Sequence, residues 1–181
     1  MRIKKICILS SLLFSIVLNA EQNHSSASLF AHTPQDAISK LTALQYLPVG
    51  AWRFHIGNVA HGESLNLDDS KWQIISGDAD APTDSIWYRQ WIVIPKSLEG
   101  YDLTNARIWF TFPATSNGAL SEIIYFNGKR VALGESLEPI ALFDHAKPGE
   151  KVLVAIKLPI TAAPKSINKA ILKIDFAENR P

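Results

Sequence analysis

Apolar and polar residues alternate with a period of two through most of the chain after Ala51. Val152, Val154, Ile156 and Leu158 share one face of Lys151–Leu158; Ile108, Phe110 and Phe112 do so in Arg107–Phe112, and Leu172, Ile174 and Phe176 in Ala170–Phe176. That alternation is the mark of a half-buried strand, whose successive side chains point to opposite faces of a sheet. The same reading predicts strands at Trp52–Ile56, Lys71–Ile75, Ile86–Ile94, Ser121–Phe126, Arg130–Leu133 and Pro139–Phe143. Turn-forming residues separate most of them: Gly57-Asn58, Gly77-Asp78, Pro95, Gly100, Asn117-Gly118, Asn127-Gly128 and Pro148-Gly149. The firmest local signal is Ile123–Leu133, where Asn127-Gly128 joins two apolar runs. A type I′ hairpin turn needs φ > 0 at both central residues, and Asn-Gly supplies it.

Ahead of these strands the periodicity is helical. Thr33 fits an N-cap, Pro34 the first helical position, and Asp36 the first turn, where its charge complements the helix dipole. Ala37, Leu41, Leu44 and Leu47 follow at helical spacing, and Pro48 and Gly50 terminate the run, so a helix is expected over 33–47. It is expected to pack on the edge or end of the β domain, or to orient a neighbour. Short strands without α/β alternation predict an all-β fold over 51–177: a two-sheet jelly-roll sandwich, with an immunoglobulin-like sandwich as the alternative. No Cys…Trp…Cys pattern supports the alternative.

The N-terminus reads as an address. Met1–Lys5 is basic, Ile6–Leu18 is apolar but shorter than a bilayer-spanning helix, and Ala20 offers a small residue for cleavage, so 1–20 is expected to be a signal peptide. The polar, Ser-rich 21–32 is expected to be a flexible leader. Cys7, the only cysteine, lies within the signal, leaving a mature domain held by its core and not by disulfides. A bacterial protein exported to the periplasm or medium is the expectation. The composition, 47% hydrophobic and 19% charged with net charge +1, argues against a nucleic-acid partner. After signal cleavage no membrane association is expected.

Trp52-Arg53-Phe54, Asp68-Asp69-Ser70-Lys71-Trp72, Trp87-Tyr88-Arg89, the Asn127-Gly128 hairpin and the Lys151–Leu158 strand occur in an order that resembles the sugar-binding, galactose-binding-like domain of glycoside hydrolases. The likeness covers about 51–176. The particular wording W-R-F-H-I-G-N-V-A-H-G-E, D-S-I-W-Y-R and E-I-I-Y-F-N-G-K-R-V-A-L-G also resembles the N-terminal region of bacterial α-mannosidase-type enzymes. The resemblance implies a non-catalytic, carbohydrate-associated accessory sandwich, with a glycan or a glycoside hydrolase catalytic domain as partner. A stand-alone accessory domain, a truncated product and one part of a split system all fit it. A pure protein-docking module without sugar affinity, presenting Trp109 and the helix stripe, is the competing reading.

Candidate chemistry is sparse. Glycoside hydrolysis needs two carboxylates flanking the sugar, whereas Asp68-Asp69-Ser70 fits turn and capping chemistry before Trp72. No catalytic residue is identified, and there is neither a G-x-S-x-G elbow nor a Gly-rich phosphate loop. Asp78, Asp80 and Asp84 offer oxygen ligands for a structural calcium ion, but without the Gly and distal Glu of an EF-hand; a plain solvated loop is the competing reading. His55, His61 and His145 match no metal spacing. Arg89 is expected to pair with an acidic residue such as Asp69 across the sandwich. Trp109 alternates away from the apolar face of its strand alongside Arg107, which marks both as candidate ligand contacts, with interdomain packing as the other use of an outward Trp.

Overall fold

The structure is a computed structural model in which residues 33–75, 85–116, 121–135, 138–159, 164–167 and 170–176 are described. Its elements are α1 (Pro34–Ala43), β1 (Trp52–Ile56), β2 (Gln73–Ile75), β3 (Ile86–Val93), β4 (Ser97–Leu98), β5 (Tyr101–Asp102), β6 (Arg107–Thr111) and β7 (Ala114–Ser116), then β8 (Glu122–Phe126), β9 (Lys129–Gly134), β10 (Ile140–Phe143), β11 (Lys151–Leu158), β12 (Pro164–Ile167) and β13 (Ile171–Asp175). A six-stranded sheet in the order β2-β1-β3-β11-β8-β9 faces a three-stranded sheet, β10-β6-β13. Every pairing between these strands is antiparallel. This is the all-β sandwich that the alternation predicted.

The core lies between the two sheets and is built from the periodic residues. Tyr88, Ile92, Val154, Ile156 and Ile124 enter from the large sheet, and Ile108, Phe110, Leu172 and Ile174 from the small one. Aromatic rings tie the layers together: Trp52 lies 6.4 Å from Phe110 and 6.0 Å from Phe112, Tyr88 5.7 Å from Phe112, and Phe110 meets Phe126 edge-on at 5.8 Å. Tilted and edge-on contacts add to the burial term because ring quadrupoles attract in those orientations. Burial holds the Tyr88 hydroxyl far above its ordinary pKa, since phenolate would be desolvated there.

The hairpin forms where Asn127-Gly128 predicted it, with φ of 48° and 80° at the two turn residues. Asn127 also fastens the turn to β11: its Oδ1 accepts the Leu153 N–H and its own N–H donates to the Leu153 carbonyl, both at 2.9 Å.

At the N-terminal end the Thr33 side chain accepts the Asp36 N–H at 3.1 Å, with Pro34 in the first turn, as the capping residues predicted. The helix stops at Ala43, earlier than its apolar spacing suggested. Residues Gln45–Leu47 leave it because β13 offers backbone partners: Leu47 N–H donates to Leu172 O at 2.8 Å and Ile174 N–H to Gln45 O at 2.9 Å. Leu44 and Leu47 are consequently buried, while Ile38 and Leu41 on the helix itself remain exposed. No described helix is long and apolar enough to cross a membrane.

Candidate functional site

The outer face of the large sheet is organised by Arg89. On β3, Tyr88 and Ile92 face the core, so Trp87, Arg89, Trp91 and Val93 point the other way. The segment between β1 and β2 folds over that outer face and buries its first half: Trp87 is 3% and Arg89 2% exposed. A cation buried this deeply must have its donors matched. Arg89 Nε donates to Asp69 Oδ2 at 2.8 Å, and its Nη1 donates to the carbonyls of Gly62 and, at 3.0 Å, Ser64. Its guanidinium lies 5.8 Å from the Trp72 ring centre. The expected Arg89–Asp69 pair is present, but on the outer face of the large sheet and not across the sandwich, and it fastens the covering segment to the sheet.

Gly62 is required at the fastening point. A Cβ there would sit 2.5 Å from Cδ2 of the Trp87 indole, far inside contact distance. Trp87 itself stacks on Tyr125 at 5.8 Å and carries the Lys157 ammonium 5.4 Å from its ring centre. Lys157 also donates to Asn58 Oδ1 at 3.1 Å, closing the far edge of the cover. Burial, reinforced by the Glu63 carboxylate, pushes the Tyr125 hydroxyl above its ordinary pKa; Arg130 opposes the shift.

Beyond Asp69 the cover ends and a cleft of about 350 Å³ opens, lined by Gly50, Ala51, Arg53, Asp69, Arg89, Gln90 and Trp91. Arg53 pairs with Arg89 in the β1–β3 register, so Ala51, two residues earlier, lies toward Trp91, two residues later. A small residue there leaves the indole standing proud: Trp91 is 44% exposed. The Lys151 ammonium lies 5.0 Å from its ring centre. Arg53 Nη1 donates to the carbonyls of Asp69 and Ser70, each at 3.2 Å, and its Nε lies 3.5 Å from Asp69 Oδ1. Sequence reasoning passed over Trp91. Its signal was the parity of Trp87, Arg89 and Trp91, which share a face once Tyr88 and Ile92 are assigned to the core.

Trp109 and Arg107 lie on the outer side of β6, where buried Ile108 and Phe110 alternate with partly exposed Arg107, Trp109 and Thr111. The indole N–H of Trp109 donates to Asp175 Oδ2 at 2.5 Å. Arg107 sits 5.4 Å from the Trp109 ring centre, with Nε 3.0 Å from Asp144 Oδ1. The structure thus brings the two candidate ligand residues together, each already engaged with a carboxylate.

Asp78, Asp80 and Asp84 fall outside the described residues. Among the described residues no three His, Cys, Asp or Glu side chains are grouped to hold a metal ion. His55 lies 5.3 Å from the Trp72 ring, and His61 Nδ1 lies 3.5 Å from Glu63 Oε1.

No family model and no curated protein matches the chain. Solved structures do. A glycosyl hydrolase family 2 member from Bacteroides cellulosilyticus DSM 14838 is 23% identical, with a TM-score of 0.55 over 73% of this chain and 20% of its own. A second structure of a family 2 member from Bacteroides cellulosilyticus gives 22% identity and a TM-score of 0.56, covering 74% of this chain and 21% of that one. A Bacteroides uniformis β-glucuronidase gives 17% identity and a TM-score of 0.51 over 68% of this chain and 17% of its own. The chain thus spans about a fifth of the length of these proteins. Its fold is one that glycoside hydrolases contain, while the narrower likeness to α-mannosidase-type proteins has no counterpart among these three structures.

Proposed function

We propose that this chain is a non-catalytic, carbohydrate-associated accessory β-sandwich of a glycoside hydrolase system, exported from a bacterial cell. The observation that carries the reading is the shared fold: about three quarters of this chain superposes on a region that makes up a fifth of a family 2 glycosyl hydrolase. On this reading the chain supplies binding or positioning, and the acid–base pair that hydrolysis needs is supplied by another part. The wording shared with α-mannosidase-type proteins makes mannose-containing glycans the first ligands to try.

The test is a glycan array probed with residues 21–181, followed by titration calorimetry on each hit, beside turnover assays on aryl glycosides. Saturable binding without turnover is the expected result. Turnover by the purified chain would overturn the non-catalytic role, and no binding to any mannose- or galactose-containing glycan would remove the carbohydrate role. One observation favours the alternative, a protein-docking module: Ile38 and Leu41 stand 55% and 63% exposed on α1. In that case a separately supplied catalytic domain, and no glycan, would bind the chain, and Leu41→Glu would weaken the complex.

A further inference from the structure

We propose that the cleft beside Trp91 is a subsite for a single pyranose residue of a glycan. The inference rests on the carbohydrate-associated reading above and gives it a place on the surface. Sugar recognition asks for two things at once: a flat aromatic face for the ring C–H groups, and fixed polar groups for the hydroxyls. Trp91 supplies the first. At 44% exposure it is the most accessible of the described tryptophans, and its backbone on β3 is held by pairing with Leu153 of β11, two residues past the end of the β1 pairing.

Arg53 and Asp69 supply the second. Asp69 is an ionised acceptor with about four lone-pair sites; Arg89 takes one through a 2.8 Å bond, and Arg53 approaches the other oxygen at 3.5 Å. Acceptor capacity therefore remains, and the carboxylate keeps 20% of its side-chain surface exposed. Arg53, 38% exposed, presents guanidinium donors from the same wall. Neither group has to be ordered on binding, because the buried Arg89 bonds already fix Asp69, and the carbonyls of Asp69 and Ser70 already fix Arg53. Preorganised polar groups spare the ligand that entropic cost. The cleft of about 350 Å³ lies at the small end of ligand sites, which suits one sugar ring and not a buried oligosaccharide. Gly50 and Ala51 keep it open; a larger side chain at Ala51 would occupy the space in front of the indole.

The Trp109 face differs in two respects: the ring is less exposed, and its indole N–H is already spent on Asp175. A cation lies against both rings, Lys151 at 5.0 Å from the centre of Trp91 and Arg107 at 5.4 Å from that of Trp109, and at Trp91 the sugar takes the face that Lys151 leaves open.

The experiment compares wild-type chain, Trp91→Ala, Ala51→Leu and Trp109→Ala on an array of oligosaccharides ending in mannose, galactose, xylose or glucuronic acid. Far-ultraviolet circular dichroism and the thermal midpoint confirm that each variant folds. The expected result is saturable wild-type binding, weakened about tenfold or more by Trp91→Ala, the equivalent of removing about 1.4 kcal/mol of contact. Ala51→Leu blocks the cleft with the indole intact and has a similar effect, while Trp109→Ala binds as wild type. Wild-type binding that survives both Trp91→Ala and Ala51→Leu overturns the site but leaves the carbohydrate reading standing, and loss in Trp109→Ala alone moves the site to the small sheet. Absence of any wild-type binding overturns both readings together.

Discussion

Arg89 and Arg107 are near copies of one arrangement on opposite sides of the sandwich. Each projects from the outer face of its sheet, each meets an aspartate, at 2.8 Å and 3.0 Å, and each lies near an indole, at 5.8 Å and 5.4 Å. They differ in what lies above them. The segment between β1 and β2 covers Arg89, leaving its side chain 1% exposed, whereas that of Arg107 is 35% exposed. The same trio is therefore a fastener in one place and a solvated surface pair in the other. The ion-pair distances alone do not rank the two; burial and the added Gly62 and Ser64 carbonyl bonds of Arg89 do.

The comparison breaks most visibly at Arg89. Arg89→Leu leaves the Asp69 carboxylate and the Gly62 and Ser64 carbonyls without their buried donor. Removing one partner of a buried pair costs about 3–5 kcal/mol. Arg107→Leu removes a partly solvated pair and should cost about 1 kcal/mol or less. Urea unfolding of the two variants side by side measures the gap, and equal losses would show that the covering segment adds nothing to the Arg89 bonds. Raising salt should weaken the Arg107 contribution and leave that of Arg89 nearly unchanged, because buried pairs are poorly screened.

Gly62→Ala tests the cover with every charge in place. The new methyl must displace the Trp87 indole or lift the segment, and overpacking of this kind costs about 1–3 kcal/mol. If the segment lifts, Trp87 fluorescence shifts red and collisional quenchers reach it. Gly100→Ala shows the other way a glycine can be required: nothing lies within 4 Å of the added Cβ, but its φ of +86° is a conformation that L side chains rarely adopt. A Gly62→Ala variant as stable as wild type would mean that the close approach to Trp87 is relieved without cost.

How much of this was legible in the sequence follows from which interactions are local. The Asn127-Gly128 turn and the Lys151–Leu158 strand could be read directly, because turn chemistry and period-two alternation act within a few residues. The Arg89–Asp69 partnership was legible but not its place: it lies under the segment between β1 and β2 and not across the sandwich, because parity alone does not say which side of the sheet a long segment covers. The short pairs β4–β5 and β7–β12 were not, because strands of two to four residues have too few positions to show a period. The early end of α1 depended on the free edge of β13, a partner more than 120 residues away in the chain. Trp91 was lost for a related reason. Its parity was visible, but whether it ends under the cover with Trp87 or in the open depends on where the covering segment stops.

The smallest effect lies at that segment's end. Asp68 Oδ1 accepts the Ser70 N–H at 2.9 Å, which holds the Asp68 carboxyl below its ordinary pKa because the bond favours the charged form. A depressed folded pKa means that the stabilisation is present above the unfolded value of about 3.9. It is lost as the pH falls through the lower folded value. Asp68→Ala should therefore bring the midpoint of acid unfolding slightly toward neutral pH, and its difference from wild type should shrink as both approach full protonation. Asp102, whose Oδ1 accepts the Thr104 N–H at 2.9 Å, makes the same turn away from the Arg89 cover. If the Asp68 turn also braces Asp69 for Arg89, Asp68→Ala will cost more than Asp102→Ala at pH 7 and will weaken Arg89 protection in hydrogen exchange. If the two variants match, Asp68 contributes its local turn alone, and the cover is held from Asp69 onward by the buried guanidinium.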